Sequence, residues 1–385
     1  MLFKKFKFKS RDVATRLKLS SITATNRWDT YYHAYADALN AIMEEGLDKS
    51  YPYDQNGRAI LFLMRHCLEL QMKAEAVRRN LTMVNSHNFV EIAAPFGGIS
   101  ALPAELQHLI GMVDKDFDGS CYRYACDPST GNLFFPNGTQ IDTSKFFKEH
   151  RQMVKAGIWG ARSISPSMDF DNKGQIWDLT FHMGESNTMW HIRAQFNGLI
   201  EILLGKIIEG RIAIQQVYIP LLFMIRHSLE LVLKANVGDA DHYMPGINSL
   251  KLKREHKLTQ VLYAYSEFLD SLDLRKMPKP TRKKLARFRT KYDVLNNTLH
   301  QLDVHSRIFR FPTDKQGKLQ AISTERINMK RIVELLYHTD GFLTFTDLVL
   351  EDYGVIGPAP IKKQVLMKNR LTRRLVSYMS RKKLT

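Results

Sequence analysis

The sequence predicts a mainly α protein built as two related bundles of four to five helices each, with short irregular or β elements in the loops. Residues 61–74, LFLMRHCLELQMKA, and residues 222–235, LFMIRHSLELVLKA, share Arg-His-x-Leu-Glu-Leu-x-x-Lys-Ala at identical spacing. Upstream of each lies an aromatic-bearing helical stretch, WDTYYHAYADALNAIMEEG from Trp28 and TMWHIRAQFNGLIEILLGKIIEG around Trp190. Downstream of each comes a His followed by a short apolar helix, SHNFVEIA at His87 and EHKLTQVL at His256. A third block then follows, DGSCYRYACDPSTGN or DVHSRIFRFPTDKQGK, each with a Ser, Arg-(Tyr/Phe)-x-x-Asp and a Gly-containing turn. Matched blocks in preserved order are the signature of internal duplication.

Along the chain, this divides the protein into a basic N-terminal segment 1–19, a first unit 20–160 and a connector 161–185. A second unit 186–353 and a basic tail 354–385 complete it. The first unit closes on TSKFFKEHRQMVKAG, and the second on ERINMKRIVELLYHTDGFLTFTDLVLEDY. The connector, ARSISPSMDFDNKGQIWDLTFHMGE, is rich in turn formers and holds one short strand. The second unit is longer between His256 and its Arg-Phe block, and the extra length is the basic run 275–291.

Composition narrows the function classes. At 385 residues, 44% hydrophobic and 25% charged, the chain exceeds the ~100–200 residues typical of one domain and has the balance of a globular protein. No uninterrupted apolar run approaches the ~20 residues of a spanning helix, and MLFKKFKFKSRD lacks a secretory apolar core. A cytoplasmic location without integral membrane contact is therefore expected. Cys67, Cys121 and Cys126 are too few and too irregularly spaced for a disulfide framework or a four-ligand zinc site.

The net charge of +17 is segregated. Residues 1–18 carry seven Lys/Arg and one Asp, whereas 275–291 and 362–383 carry nine basic residues each and no acid. The remaining body has 31 basic and 38 acidic residues. Concentrated cationic runs on a slightly acidic body point to a polyanion partner. The candidate contacts are Arg275, Lys276, Lys279, Arg282, Lys283, Lys284, Arg287 and Arg289, with Arg373 and Arg374 in the tail. The tail segment NRLTRRLVSYMSRKK is also a basic amphipathic stretch suited to a membrane surface.

On a helix, where each residue advances ~100°, Glu69, Lys73 and His66 fall within about 100° of Arg65. Arg226, His227, Glu230 and Lys234 repeat the arc. Glu at i, with Arg at i−4 and Lys at i+4, can pair with both. One reading is a partly buried network in which Asp127 and Asp314 pair with Arg65 and Arg226, with Arg123 and Arg310 on the same loops. The other is an active groove, where Arg holds a phosphate and His acts as general acid or base.

These motifs resemble a group of bacterial HEPN-like proteins (higher eukaryotes and prokaryotes nucleotide-binding). The residues that carry the resemblance are Arg-His-x-Leu-Glu-Leu-x-x-Lys, the His-x-(Leu/Phe) helix and the Asp-x-x-Ser…Arg-(Phe/Tyr)-Pro-x-Asp-x-x-Gly loop. It covers roughly 300 residues. The second copy, with Arg310-Phe311-Pro312-Thr313-Asp314, is the closer match; the first has Ala125 in place of Pro. The resemblance implies helical bundles that pair, RNA more than DNA as the target, and a place in anti-phage defence or toxin systems. A protein partner from such an operon and homo-oligomers come with it. Its catalytic form is a metal-independent endoribonuclease; the alternative is a non-catalytic nucleic-acid-binding or adaptor protein using its basic segments.

The implied catalytic candidates are Arg226, His227, Arg65 and His66. Catalytic HEPN ribonucleases place four to six residues between Arg and His, a spacing met here by Arg27 to His33 and by Arg331 to His338. Trp28 and Ile332 stand where that family prefers a polar residue. Cleavage would have His take the 2′-OH proton and Arg stabilise the phosphorane, leaving a 2′,3′-cyclic phosphate. No P-loop, dinucleotide fingerprint, His-Glu-x-x-His or Gly-x-Ser-x-Gly element is present. His300, Asp303 and His305 fit no standard metal spacing, so neither metal nor cofactor is expected.

Overall fold

The computed structural model describes residues 11–19, 28–49, 53–156, 164, 180–184, 188–248, 252, 254–314, 316–320 and 327–357. In chain order these form α1 (Arg11–Arg16), α2 (Trp28–Lys49), α3 (Gly57–Arg78), α4 (Phe89–Ala93), α5 (Ala104–Val113), α6 (Ser120–Arg123), β1 (Thr139–Asp142) and α7 (Phe146–Lys155). There follow β2 (Thr180–Met183), α8 (Met189–Glu209), α9 (Ile214–Ala240), α10 (Leu258–Ser271), α11 (Lys279–Leu302) and α12 (Met329–Asp352). The mainly α expectation is met.

The core is set by two helices that are covered on every side. A helix with one apolar stripe lies on a surface, whereas one covered on every side must sit inside. α3 and α9 are of the second kind, buried along nearly their whole length, polar residues included. They are flanked by α2 and α8. α2 packs along α3 and α9, and α8 along α9 and, more lightly, α2 and α3. α5 and α7 extend the layer beside α3; α10, α11 and α12 extend it beside α9. One hydrophobic cluster runs through all of them, from Val13 to Ile356. Among the described residues α9 alone is long and apolar enough to cross a bilayer, and 94% of that window is buried inside the protein.

Local signals place the helix ends. Asn88, Thr188 and Asn328 accept from the backbone N–H of Val90, His191 and Arg331, capping α4, α8 and α12. α8 stops at Gly210, whose φ of 77° is the left-handed value that ends helices at glycine. The strand expected in the connector is β2. It pairs antiparallel with β1, Thr139 opposite Met183 and Ile141 opposite Phe181. Phe181 lies so close to the start of α3 that a Cβ on Gly57 would come within 2.9 Å of its ring.

The basic run 275–291 is not a loop. It starts as a short 3-10 turn and then forms the N-terminal half of α11, whose C-terminal half packs Tyr292, Leu295 and Leu299 into the core. Met277, within the run, is also buried. Lysine and arginine are good helix formers, so a cationic run does not by itself predict irregular structure.

Candidate functional site

The charged stripes of α3 and α9 fold into two closed networks. On α3, Lys73 Nζ donates to Glu69 Oε1 at 2.7 Å and to the Ser86 carbonyl at 2.6 Å. His87 Nδ1 also reaches Glu69 Oε1, at 2.8 Å, while Arg65 stands 3.5 Å from Oε2. On α9, Lys234 and His256 Nδ1 each lie 2.9 Å from Glu230 Oε1, and Arg226 Nη1 donates to Oε2 at 3.2 Å. Each arginine then turns to a carbonyl: Arg65 Nη2 donates to His87 O at 2.8 Å and Arg226 Nη2 to His256 O at 2.6 Å. An i, i+4 ladder fixes the pairs within a helix, and the histidine of the next element closes the ring.

The loops that complete these networks cross over. Phe311, late in the chain, lies 4.9 Å from His87 and 4.9 Å below the Lys73 ammonium. Tyr124, early in the chain, lies 5.2 Å below the Lys234 ammonium and donates its hydroxyl to Glu230 at 3.0 Å. His66 Nε2 meets the Arg310 carbonyl at 3.2 Å, and His227 Nε2 meets the Arg123 carbonyl at 3.1 Å. Carbonyls only accept, so Nε2 carries the proton in both rings. Between these histidines runs a stack of rings. Phe62 is stacked on His66 at 5.3 Å, Phe223 on Phe62 at 4.9 Å and His227 on Phe223 at 5.5 Å. Each Phe precedes its His by four residues, one helical turn.

Side chains of the body hold the crossing loops. Tyr31 and Tyr35 of α2 donate to the carbonyls of Ile308 and Phe309, and Arg58 of α3 donates to those of Cys121 and Tyr124. Asp303 Oδ1 accepts from Arg307 N and Ile308 N; Asp116 accepts from Gly119 N and Cys121 N. Gly119 sits at φ +72°, and a Cβ there would meet Arg65 Cδ at 3.0 Å, so this turn needs glycine twice over.

Burial decides the protonation states. It raises the Glu69 and Glu230 carboxyls, but the ammonium of Lys73 or Lys234 and the facing histidine outweigh it and hold both well below the usual carboxylate range. Burial also pushes the His66 imidazole down to about 4 and that of His227 to about 3. Each is neutral near pH 7, with Nε2–H committed to a carbonyl. Burial lowers His87 too, against the pull of Glu69.

The predicted residues therefore sort as follows. Arg65, His66, Arg226 and His227 do not open onto a groove; all four are buried, at 0–3% exposure. Glu69, Lys73, Glu230 and Lys234 are their network partners, and Arg123 and Arg310 supply backbone carbonyls to it. Asp127 and Asp314 do not pair with Arg65 and Arg226. Asp127 accepts from Ser129 N, and Asp314 from Gln316 N and Lys318 N, because the backbone N–H groups of their own turns lie closest. The partners of Arg65 and Arg226 are instead Asp114, at 3.3 Å, and Asp303, through its carbonyl at 2.9 Å. Arg331 and His338 both face Glu334 on the surface of α12, not a shared groove. Arg27, Arg373 and Arg374 lie outside the described residues.

On α11, Lys279, Lys283, Lys284 and Arg287 are exposed, with Lys291 half-buried. At ~100° per residue they fill an arc of about 140°, bordered on its Lys284 side by the core-facing seam of Leu295, Leu299 and Tyr292. Arg282 lies to one side. The other candidates in the run are engaged: Arg275 with Asp273, Arg289 with Asp270, and Lys276 with the Gly354 carbonyl.

The crossing contacts, the ring stack and the roles of Asp114 and Asp303 were not anticipated from sequence; the one signal that could have given the stack is a Phe four residues before each motif His. No protein-family model, curated protein or solved structure matches this chain.

Proposed function

We propose that this chain is a non-catalytic nucleic-acid-binding protein, RNA ahead of DNA, which presents the outer face of α11 to the phosphate backbone. The observation that carries this reading is the arc of Lys279, Lys283, Lys284, Arg287 and Lys291, free of acidic side chains and backed by a helix half anchored in the core. A rigid cationic helix face neutralises several phosphates at once and releases their counterions. The doubling of each contact about the ring stack supports reading 20–160 and 186–353 as two HEPN-like units facing one another about a pseudo-twofold axis. In this reading the charged stripes are the clasps between the units.

A second reading, the metal-independent endoribonuclease, draws its support from His256. Its side chain is 43% exposed, and Glu230 engages Nδ1, which leaves Nε2 to act as a base. One experiment tests both readings. Binding of single-stranded RNA should weaken with salt, and replacing Lys283, Lys284 and Arg287 by Gln should reduce the slope of log K against log salt by about 2, at ~0.7 per phosphate contact. The same mixtures, held in EDTA, should give no 2′,3′-cyclic phosphate. A salt-independent affinity would overturn the first reading, and cleavage abolished by His256→Ala would establish the second.

A further inference from the structure

Among the described residues two tyrosines are exposed, Tyr263 and Tyr353, and both border the cationic arc of α11. Scattered apolar side chains are normal at a protein surface, so exposure alone marks no site. Their placement is what distinguishes them. Tyr353 ends α12, and its hydroxyl stands 3.5 Å from Thr281 Oγ1 in the first turn of α11. Thr281 and Lys284, three residues apart, are neighbours on the helix surface. The ring therefore flanks the Lys284 edge of the arc, near its N-terminal end. Its backbone is pinned there: Tyr353 N donates to the Val349 carbonyl at 3.2 Å, and Lys276 Nζ, from the turn before α11, donates to the Gly354 carbonyl at 2.8 Å.

Tyr263 lies at the opposite edge, towards the C-terminal end. Arg289 of α11 donates to Asp270 of α10 at 2.6 Å, and His300 Nε2 lies 3.4 Å from Thr259 Oγ1. Eleven residues separate these two contacts on each helix, so α10 and α11 run antiparallel and Tyr263 stands level with Asn296. At ~100° per residue Thr259, Tyr263 and Asp270 fall within about 40° of one another, which puts Tyr263 on the edge of α10 that meets α11. It is nevertheless 67% exposed, and Val294, within the arc and two residues from Asn296, is 44% exposed. By the same rotation Lys284, Arg287 and Val294 lead diagonally across α11 from one ring to the other. The two levels, Thr281 and Asn296, are about 22 Å apart along the axis.

Carboxylates accompany both rings. Glu267 is one turn from Tyr263 on α10, Asp293 one turn from Asn296 on α11, and Asp352 adjoins Tyr353; Asp270 is taken by Arg289. Like charge keeps phosphates off these edges and on the arc between them. A base carries no such charge and has a π-face for an aromatic ring.

We infer that Tyr263 and Tyr353 are stacking platforms for two unpaired bases of one RNA strand, whose phosphates follow Lys284, Arg287 and Lys291 between them. This rests on α11 being the nucleic-acid face and adds what that face selects, a single strand. In a duplex the bases are stacked on one another, so only an unpaired strand offers faces to both rings.

The test is binding of an unstructured single-stranded RNA, and of the same strand in a duplex, to the full-length protein over a range of salt. Tyr263→Ala and Tyr353→Ala should each weaken the single strand about fivefold to a hundredfold. The slope of log K against log salt should stay the same, because stacking releases no counterions. Duplex affinity should not change, and Tyr263→Phe and Tyr353→Phe should bind as the wild type does. An abasic strand should bind all of these variants equally. Salt-dependent binding that neither alanine variant weakens would overturn the platforms and leave the α11 face standing, and a loss at one ring alone would overturn the other platform. Equal losses on single strand and duplex would overturn both, since paired bases do not reach the rings. Absence of any salt-dependent binding would remove the α11 face itself, and the platforms with it.

Discussion

His66, His150 and His227 are neutral near pH 7 because burial disfavours the charged imidazole. His150 donates from Nε2 to Gln71 Oε1 at 3.0 Å while its Nδ1 accepts from Ile164 N at 3.1 Å, and burial pushes it down to about 3. An unfolded histidine titrates near 6.5, so below that value the unfolded chain binds more protons than the folded one. The stability these rings contribute is complete above 6.5. It is lost as pH falls, toward about 4 for His66 and about 3 for His150 and His227. Glu69 and Glu230, held low in the folded state, add to the loss once pH drops below the ordinary carboxylate range. Between pH 6 and 5 each imidazole should steepen the fall by up to about 1.4 kcal/mol per pH unit. Urea midpoints from pH 7.5 to 4.5 check this: a flat profile would mean that the rings reach water, and His227→Gln should flatten the curve in part.

At the scale of the helices, α8 is tied to α12 by a buried pair. Arg193 is hydrogen-bonded to Asp340, and its second nitrogen donates to Thr344 Oγ1 at 2.9 Å. Asp340→Ala would leave the guanidinium buried and unpaired, a loss of about 3–5 kcal/mol, whereas Thr344→Val should cost only about 1 kcal/mol. Guanidinium denaturation of the two variants measures the difference. This pair left no trace in the sequence, since partners separated by 147 residues create no periodicity. The stripe residues were legible for the opposite reason: Arg65, Glu69 and Lys73 recur at helical spacing, and so do Arg226, Glu230 and Lys234. What spacing could not supply was the loop partner. Asp127 and Asp314 looked available, yet each closes its own turn, and the acids that do the pairing precede the loops instead. The basic run hid its packing in a similar way: Leu285 and Phe288, set among the cations, already lie against the core ahead of Tyr292.

For the whole molecule the crossing contacts make each half the lid of the other. His66 depends on Arg310, Lys73 on Phe311, Glu230 on Tyr124 and His227 on Arg123. The full chain should unfold in a single transition by both far-ultraviolet and aromatic circular dichroism. Separately produced segments 1–160 and 161–385 should lack fixed aromatic signals, which mixing restores. A segment 1–160 that unfolded cooperatively on its own would contradict this. The same exchange governs how the polypeptide is made. His66 waits for a carbonyl 244 residues further along, which at the ribosome is a delay of roughly 10–50 s. Throughout that interval a nascent helix bearing Glu69 and Lys73 has Trp28 over the lysine but lacks Phe311, and translation speed and chaperone supply become determinants of yield.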